Sequence, residues 1–188
     1  MDAAATTPDF AALAAELSPA LLRYLRRYTG DVGSADDLLQ ETLIRMARGL
    51  ADFEGRSSPK TWAFAIATRV AADHFRSPAQ RAAIVAIDEA DSVADPAPLA
   101  EEQRVVDEMN ACIRQVIDSL PEDYRAALVL HDLEGQSARE IAEICGATLA
   151  TVKIRIHRAR ARLKQALDRQ CDFYRDGENV FRCDRKGA

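Results

Sequence analysis

Between Lys153 and Arg169 the chain places seven cations, Lys153, Arg155, Arg158, Arg160, Arg162, Lys164 and Arg169, against the single acid Asp168. Such side chains neutralise phosphates, and arginine also reads base edges through its fixed fork of donors. The positive charge is local, because the whole chain of 188 residues has a formal net charge of -5. A basic segment inside an acidic protein points to a polyanionic partner that the average conceals.

To act together these cations need a helix held with one face outwards, and their neighbours supply it. In GQSAREIAEICGATLATVKIRIHRARARLKQAL, Ser137 and Glu140 form a capping box. Ala142 is small where two helices must approach, and Gly146 stands where the chain needs a tight or left-handed turn. Thr148 caps a second helix with an apolar stripe of Val152, Ile156, Ala159 and Leu163. The spacing predicts a helix-turn-helix from Ser137 to about Leu167, with Lys153, Ile154, His157 and Arg158 turned away from the stripe. Lys153, His157 and Arg158 are placed to read or line a major groove, with Thr148, Thr151, Ile154 and Arg155 as further candidate DNA contacts. Arg155, Arg160 and Arg162 also suit phosphate contacts or salt bridges. The alternative is a solvated cationic helix that binds acidic protein.

The rest of the chain reads as helical. Apolar residues make up 48%, aromatics only 6%, and β-branched residues come singly. The N-terminus lacks the pattern of a secretory signal, and no stretch approaches the roughly 20 apolar residues of a membrane span, so a cytoplasmic protein is expected. Residues 10–28 have helical spacing, with an expected interruption near Ser18-Pro19 and an end at Gly30. A second helix is expected to start on Ser34 as N-cap, and a third to run from Lys60 to Arg76 with Trp62, Ile66, Val70 and His74 or Phe75 as its stripe. Residues 79–103 hold Pro96, Pro98 and much of an acidic cluster: Asp88, Glu89, Asp91, Asp95, Glu101, Glu102, Asp107 and Glu108 against Arg104. This predicts a linker before helical periodicity returns near Val105 and runs to Leu120. Pro121 opens the next helix, which carries Tyr124, Ala127, Leu128 and Leu130 and ends near Gly135.

The phrase DSLPEDYRAALVLHDLEGQSAREIA resembles region 4 of sigma-70 family RNA polymerase sigma factors of the extracytoplasmic-function type. Independently, DDLLQETLIRM resembles the polymerase-binding part of region 2 of those factors, and FEGRSSPKTWAFAIATRVAADHFR the promoter-melting part. The likeness covers roughly residues 10–168 in the family's order. It implies an all-α fold of two small helical domains, region 2 over 1–78 and region 4 over 105–170, joined by an acidic linker over 79–104. Residues 171–188 form a cysteine-containing extension.

The resemblance implies an alternative sigma factor that directs promoter-specific initiation without a catalytic site of its own. Its implied partners are core RNA polymerase, through the β′ clamp helices and the β flap, together with promoter DNA and an anti-sigma factor. Asp37, Gln40 and Glu41 would dock on the clamp helices, while Leu38, Leu39 and Leu43 supply core. Arg56, Ser57, Ser58 and Lys60 in the loop, with Arg69, His74 and Arg76 on the following helix, would capture the unpaired minus-ten strand. Trp62 would be core, in keeping with its stripe, although a stacking role is the alternative. One departure stands out: the family often has asparagine in an I-A-x-N phrase where this chain reads IATR, and Arg69 cannot offer the same paired donor and acceptor. The acidic linker would thread the polymerase's basic channels or serve as a spacer.

Among the four cysteines, Cys112 and Cys145 sit inside helical patterns as small apolar residues. Cys171 and Cys183 flank an Asp176-Gly177 turn signal, which predicts a small β-hairpin. A three-residue turn centred on Gly177 would set Phe173 opposite Phe181 and Cys171 opposite Cys183, whereas a two-residue turn would shift the register. This suggests a redox pair or half of a metal site, or else a packing cap with incidental thiols. Two cysteines are too few for a complete zinc site.

Two further functional classes remain open on the residues: a sigma-like decoy that captures an anti-sigma factor, and a stand-alone regulator with a sensing domain. No phosphate-binding glycine loop or zinc-ligand set is present, and His74, His131 and His157 lie at no metal-binding spacing, so neither enzyme nor cofactor is expected.

Overall fold

Helix α1 (Phe10–Thr29) starts on Asp9, whose carboxylate accepts the Ala11 and Ala12 N–H groups, and stops at Gly30, which turns left-handed at φ +77°. The computed structural model describes residues 9–76 and 101–186 apart from 176, 178 and 180. Contrary to expectation, α1 runs unbroken through Pro19. An interior proline costs about 3 kcal/mol. Leu13 and Leu17 before it, and Leu21, Tyr24, Leu25 and Tyr28 after it, are all buried. At roughly 1.5–3 kcal/mol for each large apolar side chain, that packing outweighs the lost hydrogen bond.

Helix α2 (Val32–Gly49) is capped by Asp31, not Ser34: the Asp31 carboxylate accepts from Gly33 N at 3.2 Å and Ser34 N at 2.9 Å. The left-handed Gly30 reverses the chain so quickly that the next helix starts earlier than its apolar pattern. After a 3₁₀ turn at Leu50–Asp52, helix α3 (Pro59–Arg76) begins where Ser58 Oγ accepts the Thr61 N–H at 3.0 Å. Its fully buried face is Ala63, Phe64, Ala67, Val70 and Ala71; of the expected stripe Val70 is fully buried, while Trp62, Ile66 and Phe75 are half-buried and pack against the core. Small alanines let neighbouring helices press on this side, and Trp62 packs against Phe53 with ring centroids 5.0 Å apart.

Helix α4 (Glu101–Asp118) begins four residues inside the stretch expected as linker. Acidic residues at a helix start are favoured by the backbone dipole, which accounts for Glu101 and Glu102 joining the helix. The remainder of the linker expectation, residues 79–100, lies outside the described residues. Helix α5 (Glu122–Leu128) follows Pro121 and opens into a π-helical turn, Val129–Leu133, in which Glu134 N–H reaches Val129 O at 3.0 Å. Helices α6 (Ala138–Cys145) and α7 (Leu149–Gln170) complete the helix-turn-helix.

The strands β1 (Cys171–Arg175) and β2 (Phe181–Arg185) form the expected antiparallel hairpin in a different register. Cys171 pairs with Arg185 and Phe173 with Cys183, so Cys171 does not face Cys183 and Phe173 does not face Phe181. The connection spans five residues, 176–180, rather than the three centred on Gly177, and Asn179 within it is left-handed at φ +62°.

Helices α1–α3 form one module and α4–α7 a second, yet their apolar interiors are continuous because α3 lies against α6. The π-helical turn also brings Glu134 to α1, where its carboxylate, buried to 1% exposure, receives Arg23 at 3.1 Å and Arg27 at 2.8 Å. Among the described residues no helix is long and apolar enough to cross a membrane.

The Asp31 and Glu140 carboxylates carry a pH dependence. Hydrogen bonds from Ser34 hold the Asp31 carboxyl below its ordinary pKa, and those from Ser137 do the same for Glu140. A carboxylate with a depressed folded-state pKa stabilises fully above its unfolded pKa, and that stability is lost as pH falls through the folded value. Thermal melting points should therefore decline below the ordinary carboxylate range, and Glu140→Gln should flatten part of that decline. At neutral pH Ser137→Ala should cost about 1 kcal/mol, read by chemical denaturation.

Candidate nucleic-acid interface

The helix-turn-helix is set by its caps. Ser137 N–H donates to Glu140 Oε2 at 2.8 Å, and Glu140 N–H donates back to Ser137 Oγ at 3.2 Å. Gly146, at φ +60°, ends α6 and lets Ala147 N–H reach Ala142 O at 2.9 Å. Thr148 Oγ1 then accepts the Thr151 N–H at 3.1 Å, so these two threonines stand at the N-terminal end of α7. Val152, Ile156 and Ala159 are buried, with Leu163 packed behind them. That face fixes the rotation of α7 and leaves Lys153, Ile154, His157 and Arg158 exposed, Ile154 to 50%.

The cations of α7 are not equivalent. Arg155 is ion-paired with Asp123, and Arg160 with Asp132, to which its Nε donates at 2.9 Å. Arg162 lies 4.8 Å above the Tyr124 ring. The Arg158 guanidinium beside the Tyr124 hydroxyl holds it below the ordinary tyrosine pKa. Lys153 has no acidic partner among the described residues. The outer face thus combines a lysine, an imidazole, an arginine beside Tyr124 and an exposed aliphatic side chain. This mixture suits phosphates, base edges and a thymine methyl.

The seven residues expected at the minus-ten strand fall into two groups. Arg56 is exposed in the loop and pairs with Glu54 at 3.2 Å, Ser57 is beside it, Ser58 is engaged as a cap, and Lys60 lies 6.0 Å from the Phe64 ring. Arg69 and Arg76, seven residues apart, share one face of α3, whereas nine residues set Arg69 about half a turn round from Lys60. The Arg69–Arg76 face looks into a cleft that also contains Asp73, Glu122, Asp123 and Arg155, and Arg76 is paired with Glu122 at 3.2 Å. His74 is half-buried with its ring edge-on to Phe75.

On α2, Asp37 and Gln40 are exposed, as is Ile44 at 44%. Glu41 is half-buried and accepts from Arg45 Nε at 2.7 Å, while Arg45 also reaches Asp73 on α3 at 3.2 Å. Leu38 is buried, and Leu39 and Leu43 pack against the core, as expected. The polar face therefore continues into an exposed apolar residue, Ile44, which the sequence reading missed although it follows Gln40 by one turn.

Sequence reasoning also missed Glu134 and Arg125, which join the modules, because their partners are remote in the chain. Arg125 is 8% exposed, lies 5.7 Å from the Tyr28 ring and 5.0 Å from the Phe75 ring, and donates to the Asp118 carbonyl. Burial lowers its pKa, opposed by Asp118. Among the described residues no group of three or more His, Cys, Asp or Glu side chains is arranged to hold a metal ion.

Comparison with known proteins accords with this layout. Residues 13–81 match the family described as Sigma-70 region 2, and residues 110–163 match Sigma-70, region 4. The RNA polymerase sigma-H factor of Pseudomonas aeruginosa is 34% identical over 154 residues, covering 78% of this chain and 80% of that protein. The extracytoplasmic-function sigma factor SigC of Mycobacterium tuberculosis is 37% identical over 135 residues, covering 71% and 70%. Among solved structures, the sigma factor RpoE of Bartonella quintana, in complex with the anti-sigma factor NepR, superposes with a TM-score of 0.60 at 28% identity, over 85% of this chain and 97% of that one.

Proposed function

The chain belongs to the sigma-70 family as an alternative sigma factor of the extracytoplasmic-function type, and from that premise we propose how its residues divide the work of initiation. Sigma regions 2 and 4 bind core polymerase and promoter DNA, and the phosphodiester chemistry is assigned to the polymerase. Lys153, Ile154, His157 and Arg158 read the minus-thirty-five duplex, with Thr148, Thr151 and Arg155 at its backbone. The observation that carries this assignment is the rotation of α7, whose buried Val152, Ile156 and Ala159 leave that set facing outwards. Asp37, Gln40 and Glu41, with Ile44 one turn beyond Gln40, dock on the β′ clamp helices.

Arg56, Ser57 and Lys60 meet the minus-ten strand from the loop, and Arg69, His74 and Arg76 from α3, with Ser58 acting chiefly through its cap. Glu122 and Asp123 face Arg69 and Arg76 in the cleft, so a captured strand competes with these carboxylates and α5 withdraws from α3 as the strand binds. An anti-sigma factor restrains the chain, a reading supported by the Bartonella quintana complex.

The test is reconstitution. Added to sigma-free core polymerase, the purified protein should give promoter-dependent transcripts from a library of promoter sequences. DNA binding without initiation would mark a stand-alone regulator instead, and neither activity would mark a decoy.

A further inference from the structure

Two sulfurs have no role in promoter reading. Cys112 lies on α4 and Cys171 follows the last residue of α7; their Sγ atoms are 3.3 Å apart, and each residue is only 2% exposed. They are 59 residues apart in sequence, and the segment between them contains α5, α6 and α7, the whole helix-turn-helix. No sequence motif could pair them.

Their approach is held from several sides. Cys171 N–H donates to Leu167 O, which continues the backbone of α7 into the hairpin. Lys186 ties down the far end: its N–H donates to Gln170 O at 2.8 Å, and its Nζ reaches Asp168 O at 2.8 Å and Asp172 at 3.0 Å. On the same side, Phe173 lines an apolar groove with Ile113 of α4 and Leu163 and Leu167 of α7. The hairpin register makes Cys183 a diagonal neighbour of Cys171, opposite Phe173.

We propose that Cys112 and Cys171 form a reversible dithiol–disulfide couple that covalently closes the second module. The sulfurs need to approach from 3.3 Å to the disulfide length of about 2 Å. With hydrogen peroxide as oxidant, one thiolate attacks a peroxide oxygen; the O–O bond breaks, leaving a sulfenic acid and, after proton uptake, one water. The second thiol then attacks that sulfur, the S–S bond forms, the S–O bond breaks and a second water departs. The two thiols together lose two electrons and two protons, and the peroxide is reduced to two waters. A dithiol reductant reverses the step by thiol–disulfide exchange. Both sulfurs are buried, so the peroxide gains access when the hairpin lifts from α4. The couple rests on this geometry alone and holds whichever DNA the module reads.

The full chain, reduced and then treated with hydrogen peroxide, should yield a Cys112–Cys171 cross-link by peptide mapping after thiol blocking, and a dithiol should remove it. Oxidation should raise the melting temperature by roughly 10 °C, as expected for a bond closing a loop of this length. Cys183→Ser should retain both effects, and Cys112→Ser should lose both while its reduced form keeps the wild-type circular dichroism. Predominant Cys171–Cys183 linkage, an unchanged melting shift in Cys112→Ser, or full alkylation of all thiols after peroxide would each overturn the proposal.

Discussion

Replacing Lys153 and Arg158 together with alanine should lower occupancy of the minus-thirty-five element by roughly 100-fold while leaving core polymerase binding unchanged. Each side chain stands on the exposed face of α7, and a good base or phosphate contact there contributes about 1–3 kcal/mol. Because every 1.4 kcal/mol is about tenfold, two modest contacts suffice for this loss. The salt dependence gives a second readout: for each phosphate contact removed, the slope of log affinity against log salt should flatten by about one. Footprinting with reconstituted holoenzyme at several salt concentrations measures both. Arg155→Ala should have a smaller effect, because its guanidinium is already paired with Asp123. Loss of core binding in the double variant would contradict the division of labour between α7 and α2.

Arg125→Ala should destabilise the chain by about 3 kcal/mol, lowering its melting temperature by roughly 10 °C. This side chain replaces apolar core at the junction of the two modules. Its guanidinium donates to the carbonyls of Asp118, Leu120 and Tyr28 and stacks near the rings of Tyr28 and Phe75. Truncation leaves buried carbonyls without their donor, removes two ring contacts and opens a cavity, and these losses act together. Arg125→Lys should recover little, because a single ammonium cannot span carbonyls on three sides or stack as a plane. Thermal denaturation of both variants provides the check. A fall of only a degree or two for Arg125→Ala would mean that the modules are held together without it.

The local parts of the fold were legible because their causes are local. The Ser137–Glu140 box, the Gly146 turn, the Thr148 cap and the Val152–Ile156–Ala159 stripe each depend on residues within a turn or two. They appear where the spacing placed them. Errors came where a longer-range term prevailed. Pro19 remains helical because six large side chains of α1 are buried around it, and α2 starts at Asp31 because Gly30 turns the chain sharply. Trp62 and Ile66 pack against the core but stay half-buried, because α3 is packed on its alanine side. The hairpin slipped by two residues because its turn is centred beyond Gly177.

By itself the sequence determined the class of protein, the helix-turn-helix and the side chains on the outer face of its second helix. Capping, periodicity and charge segregation are short-range properties written residue by residue. Only the tertiary structure decided which cations remain available, since Asp123 and Asp132 reach Arg155 and Arg160 across 32 and 28 residues of chain. It alone turned Arg69 and Arg76 towards Glu122, buried Glu134 against two arginines of α1, and brought Cys112 to Cys171. Partners of that kind are chosen by the packing of helices distant in sequence, and no local pattern records the choice.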